Sequence, residues 1–240
     1  MSKIFRKIRQ NLLSEGKTKS YLKYAIGEIA LVVIGILIAL QINNWNTRDK
    51  QSNTELKILE AMKENLNSDV IDMEENIKIY SRTRKSTGEI LQVLNFPGYE
   101  TDSLNLYLGH LGDYATFIET TSAYENLKTI GFEIIKSDSL KKNIMQIYGK
   151  QYQLIYNQET VHANYVNLHL NSVIFDNLIM GVNQMSSPID ISELKQNRRF
   201  NETLKFNYGH LDLLTTRYSE IKLDVEALVE QIDAVLKQRK

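Results

Sequence analysis

Cysteine is absent from all 240 residues. That single absence excludes a disulfide framework, a thiolate metal site, a cysteine nucleophile and a lipid-modified cysteine. Proline is nearly absent too: only Pro97 and Pro188 occur, alongside 11 glycines, a composition that suits long helices better than a strand-rich fold. Nor is there an excess of charge. Lysine plus arginine number 29 and aspartate plus glutamate 29, so general nucleic-acid binding, which draws on a basic excess, is not expected. No glycine-rich phosphate loop, Gly-x-Ser-x-Gly elbow or His-Glu-x-x-His occurs. With no catalytic constellation in the sequence, a non-enzymatic protein without a cofactor is expected.

One long apolar run is present. Ile29 to Leu40 reads IALVVIGILIAL. With Leu22 to Gly27 before it and Gln41 and Ile42 after it, the run makes a helix of about 20 residues, roughly 30 Å long. Its Ile, Leu and Val residues each favour insertion by roughly 0.3–0.6 kcal/mol, against at most about 3 kcal/mol for Glu28 near one end. Tyr21 and Tyr24 on one side and Trp45 on the other form the aromatic belt of a membrane span. The expected membrane-spanning residues therefore include Ile26, Gly27, Glu28, Ile29, Gly35, Ala39 and Ile42. A cleaved signal peptide is the competing reading. Against it stand the long segment before the run and the lack of small residues at a cleavage site, where Leu40-Gln41-Ile42-Asn43-Asn44 follows.

Charge sets the expected orientation. Lys3, Arg6, Lys7, Arg9, Lys17, Lys19 and Lys23 precede the span, opposed by Glu15, whereas Arg48 and Lys50 after it are interleaved with Asp49. Positive charge stays inside, which predicts a cytoplasmic N-terminus and a translocated domain. Ile4, Phe5, Ile8 and Leu12 share one helical face, with Arg6, Lys7 and Arg9 among the residues covering the rest. This basic amphipathic segment is either an interfacial anchor or a topology signal alone. The expected organisation is a cytoplasmic basic segment over 1–20, an anchor helix over 21–46 and an extracytoplasmic helical domain over 47–240.

Within that domain, Leu56, Leu59, Met62, Leu66, Val70, Met73, Ile77 and Tyr80 recur at steps of three and four, predicting an amphipathic helix that ends before Pro97-Gly98. A short helix is expected from Leu104. Ser122 with Glu125 reads as a capping box, and Gly131 as a stop. Asp138 is expected to cap a long helix. Its predicted apolar face carries Leu140, Ile144, Ile147, Leu154, Val161, Tyr165, Leu168, Phe175 and Ile179, with Gln151, Gln158 and Ser172 on the same side. A loop is expected over Gly181 to Asp190, and no strand. In the last helix Leu204, Leu211, Tyr218, Val225 and Ile232 repeat every seven residues, with Asn207, Leu214, Ile221, Leu228 and Val235 three later. That seam packs either within its own bundle or against another chain. The fold class expected is all-α: one N-terminal transmembrane helix, then an antiparallel helical bundle with long, coiled-coil-like helices.

The stretches FRKIRQNLL from Phe5, YAIGEI from Tyr24 and VIGILIALQINNWN from Val33 resemble an uncharacterised family of Gram-negative bacterial single-pass membrane proteins, classed as a domain of unknown function. Tyr124-Glu125-Asn126-Leu127-Lys128 resembles a second recurring motif of that family. The resemblance implies a membrane address and a helical extracytoplasmic domain, and no activity.

Three candidate features remain. Glu28, Gly35 and Ala39 share a helix face on which small residues allow close approach and a carboxyl could pair across an interface; otherwise Glu28 sits at the membrane boundary in headgroup water. Glu159 and His162 have the Glu-x-x-His spacing of bundle metal sites, but the second copy and further carboxylates that such sites need are missing, so a structural role is expected. Tyr148, Tyr152 and Tyr156 form a stripe, expected to be half-buried with hydroxyls in water. These features lead to two readings. One is a scaffold or accessory protein of the inner membrane, with the bilayer and a homo-oligomer or helical protein as partners and a periplasmic domain. The other is an extracytoplasmic, sensor-like ligand-binding bundle.

Overall fold

A computed structural model describes residues 18–239. The basic segment with Arg6, Lys7 and Arg9 lies outside the described residues, as do the side chains of Tyr21 and Tyr24. The chain divides into two compact units between Glu55 and Leu56.

Helix α1 covers Thr18–Asn95. No proline interrupts it, and it stops where Pro97 removes a backbone donor and Gly98 takes a φ of +80°. Helix α2 is Leu104–Gly109, and residues 113–121 then run without regular structure to α3, Ser122–Ile130. Gly131, at φ +103°, ends α3 as expected. A single-turn 3₁₀ helix, Phe132–Ile134, leads to the long helix α4 over 138–177. After a hairpin come α5, Ile191–Gln196, and α6, Arg198–Gln238.

Pairing between the long helices gives their directions. Along α1 and α6, Glu74 meets Lys222 at 3.1 Å, Arg84 meets Asp212 at 2.9 Å, and Asn95 accepts from Asn201 at 2.7 Å. As one number rises the other falls, so α1 and α6 are antiparallel. Asn143 to Gln231 and Gln151 to Asp224, each at 2.7 Å, make α4 and α6 antiparallel as well. The expected all-α antiparallel bundle is the fold found.

Both rows of the seven-residue seam face inward. Leu204, Leu211, Tyr218, Val225 and Ile232 are fully buried in their own chain, with Asn207, Leu214, Ile221 and Leu228 beside them. The apolar interior forms two clusters. One runs from Ile58 and Leu59 to Tyr80 on α1, and holds Leu211 to Leu236 of α6. The other gathers Ile90, Leu108, Leu170, Leu178, Phe200 and Leu204. Buried polar residues, among them Thr83, Thr87, His162 and Asn207, lie along the helices between them.

Several local expectations are corrected. The residues 178–188 are not a helix end and loop but a hairpin, with Leu178–Met180 (β1) antiparallel to Ser186–Pro188 (β2). Two strands of three residues leave no alternation to read. Their support is tertiary, since a Cβ on Gly109 of α2 would lie 1.9 Å from the carbonyl oxygen of Gln184. The Ser122/Glu125 capping box does not form: Thr121 is the N-cap, the Ser122 hydroxyl donates to the side-chain oxygen of Asn65 at 3.0 Å, and Glu125 pairs with Lys128 at 2.9 Å. Ser137, not Asp138, caps α4, its hydroxyl accepting from the amide of Leu140 at 3.2 Å.

The largest correction concerns the inner face of α4. Ile147–Gln151 and Val166–Leu170 are π-helical turns. Each admits one extra residue, which rotates everything after it by about 100°. The predicted face 151, 154, 158, 161, 165 becomes Tyr152, Ile155, Glu159, His162 and Val166 after the first turn, and Leu170 and Ile174 after the second. Val161, Leu168, Phe175 and Ile179 point outward instead.

Leu211→Ala is expected to destabilise the fold by about 2–5 kcal/mol, as a cavity in a closed core does. Leu213→Ala, on the half-exposed side of the same turn, is expected to stay within about 0.5 kcal/mol of the parent in chemical denaturation.

Candidate membrane-spanning segment and buried polar belt

Every residue from Ile29 to Lys50 is exposed. The apolar run includes Ile29, Leu31, Ile36, Leu37 and Leu40, each more than half exposed, and Trp45 is 73% exposed. This is the one helix among the described residues long and apolar enough to cross a membrane, and none of its apolar window is covered by its own chain. Ile26, Gly27 and Ile42 are exposed and Glu28 is partly covered. A Cβ on Gly35 would meet nothing within 4 Å, so the Gly35–Ala39 face is open. By contrast, the other expected interface, Leu204 to Ile232, is consumed within the bundle.

The second feature is a belt of buried polar groups. Residues 113–121 have no helix or ladder to receive their backbone amides. Carboxylates receive them. Asp69 accepts from the amide of Thr120 at 2.7 Å, Asp72 from Ile118 at 3.2 Å, and Glu159 from Phe117 at 2.9 Å. Two carbonyls of the same segment are met by tyrosines, Ala115 by Tyr80 at 2.7 Å and Thr120 by Tyr148 at 3.5 Å. The carboxylates are then shared: Tyr152 donates to Asp69 at 2.8 Å, Asn76 to Asp72 at 3.0 Å, and Tyr218 to Glu159. The tyrosine stripe is thus bound within the protein rather than ending in water.

Glu159 and His162, placed inward by the first π turn, do not act as a pair. Glu159 serves Phe117 and Tyr218, whereas His162 bonds Asn207 at 3.0 Å. Among the described residues, no group of three or more His, Asp or Glu side chains could hold a metal ion. A surface groove of about 460 Å³, lined by Glu74, Ile77, Lys78, Ser219, Lys222 and Leu223, shares no residue with the belt. Sequence reasoning missed Asp69, Asp72 and Asn76. Asp69 and Asn76, with Thr83, extend the buried face of α1 through positions where a polar residue interrupts the apolar spacing, and that interruption was the available signal.

Burial pushes the carboxyls of Asp69, Asp72, Glu119 and Glu159 above their usual range, partly offset by the hydrogen bonds they accept. Burial also holds His162 and His210 below the ordinary histidine value.

A model of the Family of unknown function (DUF6090) matches residues 28–194. No curated protein and no solved structure matches the chain.

Raised carboxyls contribute stability that is complete below the ordinary carboxyl range and is lost as pH rises through their folded values. The two histidines act oppositely, losing stability as pH falls below about 6.5. Asp69→Asn, whose amide nitrogen cannot accept, is expected to cost about 1–3 kcal/mol. It should also flatten the decline in thermal midpoint as pH rises above the ordinary aspartate value of about 4. An unchanged slope would refute the assignment.

Proposed function

Because the chain belongs to this family of unknown function, membership brings no activity, and we propose that it is a membrane-anchored scaffold or accessory protein acting through helix–helix contacts. The uncovered apolar helix carries the reading. A contiguous apolar surface of this length, facing outward on every side, is costly in water and favourable in hydrocarbon. The basic residues from Lys3 to Lys23 support a cytoplasmic N-terminus and a helical domain across the inner membrane, in the periplasm of a Gram-negative cell.

The belt argues for a structural rather than a catalytic use of its acids. Asp69, Asp72 and Glu159 each hold a backbone amide in place, and Glu159 is only 7% exposed. On the anchor, Gly35 and Ala39 offer a face for close helix approach, with Glu28 at its cytoplasmic end. The largely apolar groove bordered by Glu74, Lys78 and Lys222 is the support for a ligand-binding bundle as the second reading.

Two measurements test this. Alkaline carbonate should leave the full-length protein in the membrane pellet. Protease added to spheroplasts should digest the bulk of the chain while an N-terminal tag survives. A mature protein beginning beyond Leu40, or a domain cut only from the cytosolic side, would end this reading.

A further inference from the structure

The two apolar clusters of the bundle are separated by a layer of buried polar side chains. Between Tyr80 of one cluster and Ile90 of the other, α1 buries Thr83, Ser86 and Thr87, and α4 and α6 bring His162 and Asn207 to the same layer. His162 is 1% exposed and Asn207 is wholly buried. The imidazole Nε2 lies 3.0 Å from Asn207 Oδ1. That oxygen can only accept, so Nε2 carries the proton of a neutral ring. Asn207 Nδ2 is buried without an acceptor. His210, half-buried on α6, holds its ring 6.3 Å from that of His162 across the α4–α6 contact.

The charges around this layer are already committed. Glu159, one turn earlier on α4, accepts from the Phe117 amide and the Tyr218 hydroxyl. Arg84 of α1 pairs with Asp212 of α6 at 2.9 Å. Before α3, Asp113 lies between Arg82 at 3.0 Å and His110 at 2.8 Å. The groups that pack on the histidines are neutral: Tyr80 of α1 meets His162 edge-on at 5.9 Å, and Tyr165 of α4, itself 5.6 Å from His169, lies 5.9 Å from His210. His110 therefore has a carboxylate where His162 has an amide.

We propose that His162 and His210 form an acid-operated latch: when both carry protons, the α4–α6 contact opens at this layer and the cluster of Ile90, Phe200 and Leu204 loosens, while the cluster from Ile58 to Tyr80 stays packed. The inference stands apart from the scaffold reading. A second proton on His162 puts a charge in a dry layer, beside an unpaired amide donor and a ring of like charge. Opening follows layers with few apolar contacts, and here the π turn Val166–Leu170 comes directly after on α4. Burial lowers the proton affinity of both rings; at His162 the Asn207 bond partly restores it and His210 opposes it. Groups held below their ordinary value contribute stability that is present above about pH 6.5 and is lost as pH falls. The carboxylate belt changes in the opposite sense, so the latch is read from local protection and from the difference between parent and variant.

Hydrogen exchange of the full-length protein, corrected for intrinsic rates, is compared at about pH 7.5 and about pH 5.5, on either side of the ordinary histidine value. Amides of 163–175 and 198–209 are expected to lose protection about tenfold or more at the lower pH. Amides of 140–147 and 221–232 are expected to keep theirs. Asn207→Asp, which sets a carboxylate against the imidazole, should remove the loss. His210→Gln, at a partly exposed position, should reduce it. A loss undiminished in His210→Gln, or in an Asn207→Asp chain that is protected at the higher pH, would overturn the inference. So would equal loss in both sets of amides, or none in either.

Discussion

The amides of Phe117, Ile118 and Thr120 impose the constraint around which the bundle is arranged. They belong to a segment that crosses helices without being one, so these three N–H groups have no backbone partner. Leaving one such group unmet in a dry interior costs about 1–3 kcal/mol. Glu159 from α4 and Asp69 from α1 meet two of them inside the protein, and Asp72 meets the amide of Ile118 at the surface. A buried carboxylate is itself expensive unless its remaining lone pairs are engaged. Tyr152 and Tyr218 supply those donors from opposite helices. The tyrosines occupy core positions that phenylalanine would fill about equally well by volume, but phenylalanine has no hydroxyl to donate. The same logic accounts for Tyr80, whose ring packs beside His162 and Tyr218 while its hydroxyl reaches Ala115.

The first π turn belongs to the same constraint. Without the extra residue in Ile147–Gln151, the 3.6-residue repeat that buries Leu140 and Ile144 would continue through Gln151, Leu154, Gln158 and Val161. With it, Tyr152, Ile155, Glu159 and His162 turn inward, and the acid reaches Phe117. The energetic cost of a π turn is met by the hydrogen bonds it makes reachable. A sequence pattern cannot reveal this, because both faces of the stretch carry apolar residues at helical spacing. The choice between them is made by what lies across the interface.

The legible parts are those whose signal is local or repeated many times. Nine apolar branched residues in the run Ile29 to Leu40, five heptads in α6 and the local Pro97-Gly98 stop each read in the sequence as the helical features they are in the structure. The illegible parts depend on single contacts. Ser122 is free to cap α3 by sequence alone, but Asn65 takes its hydroxyl. The hairpin over 178–188 relies on the missing side chain of Gly109. Within the belt, Glu159 and His162 stand out as a motif, whereas their actual partners, Phe117 and Asn207, come from elsewhere in the chain.

Two apolar stripes in this chain need cover, and their chemistry separates them. The α6 seam, interrupted by Asn207, is closed off by α1 and α4, and the oxygen of its one amide meets His162. The stripe from Ile29 to Leu40 has no polar side chain at all, so hydrocarbon can cover it without stranding a donor or acceptor.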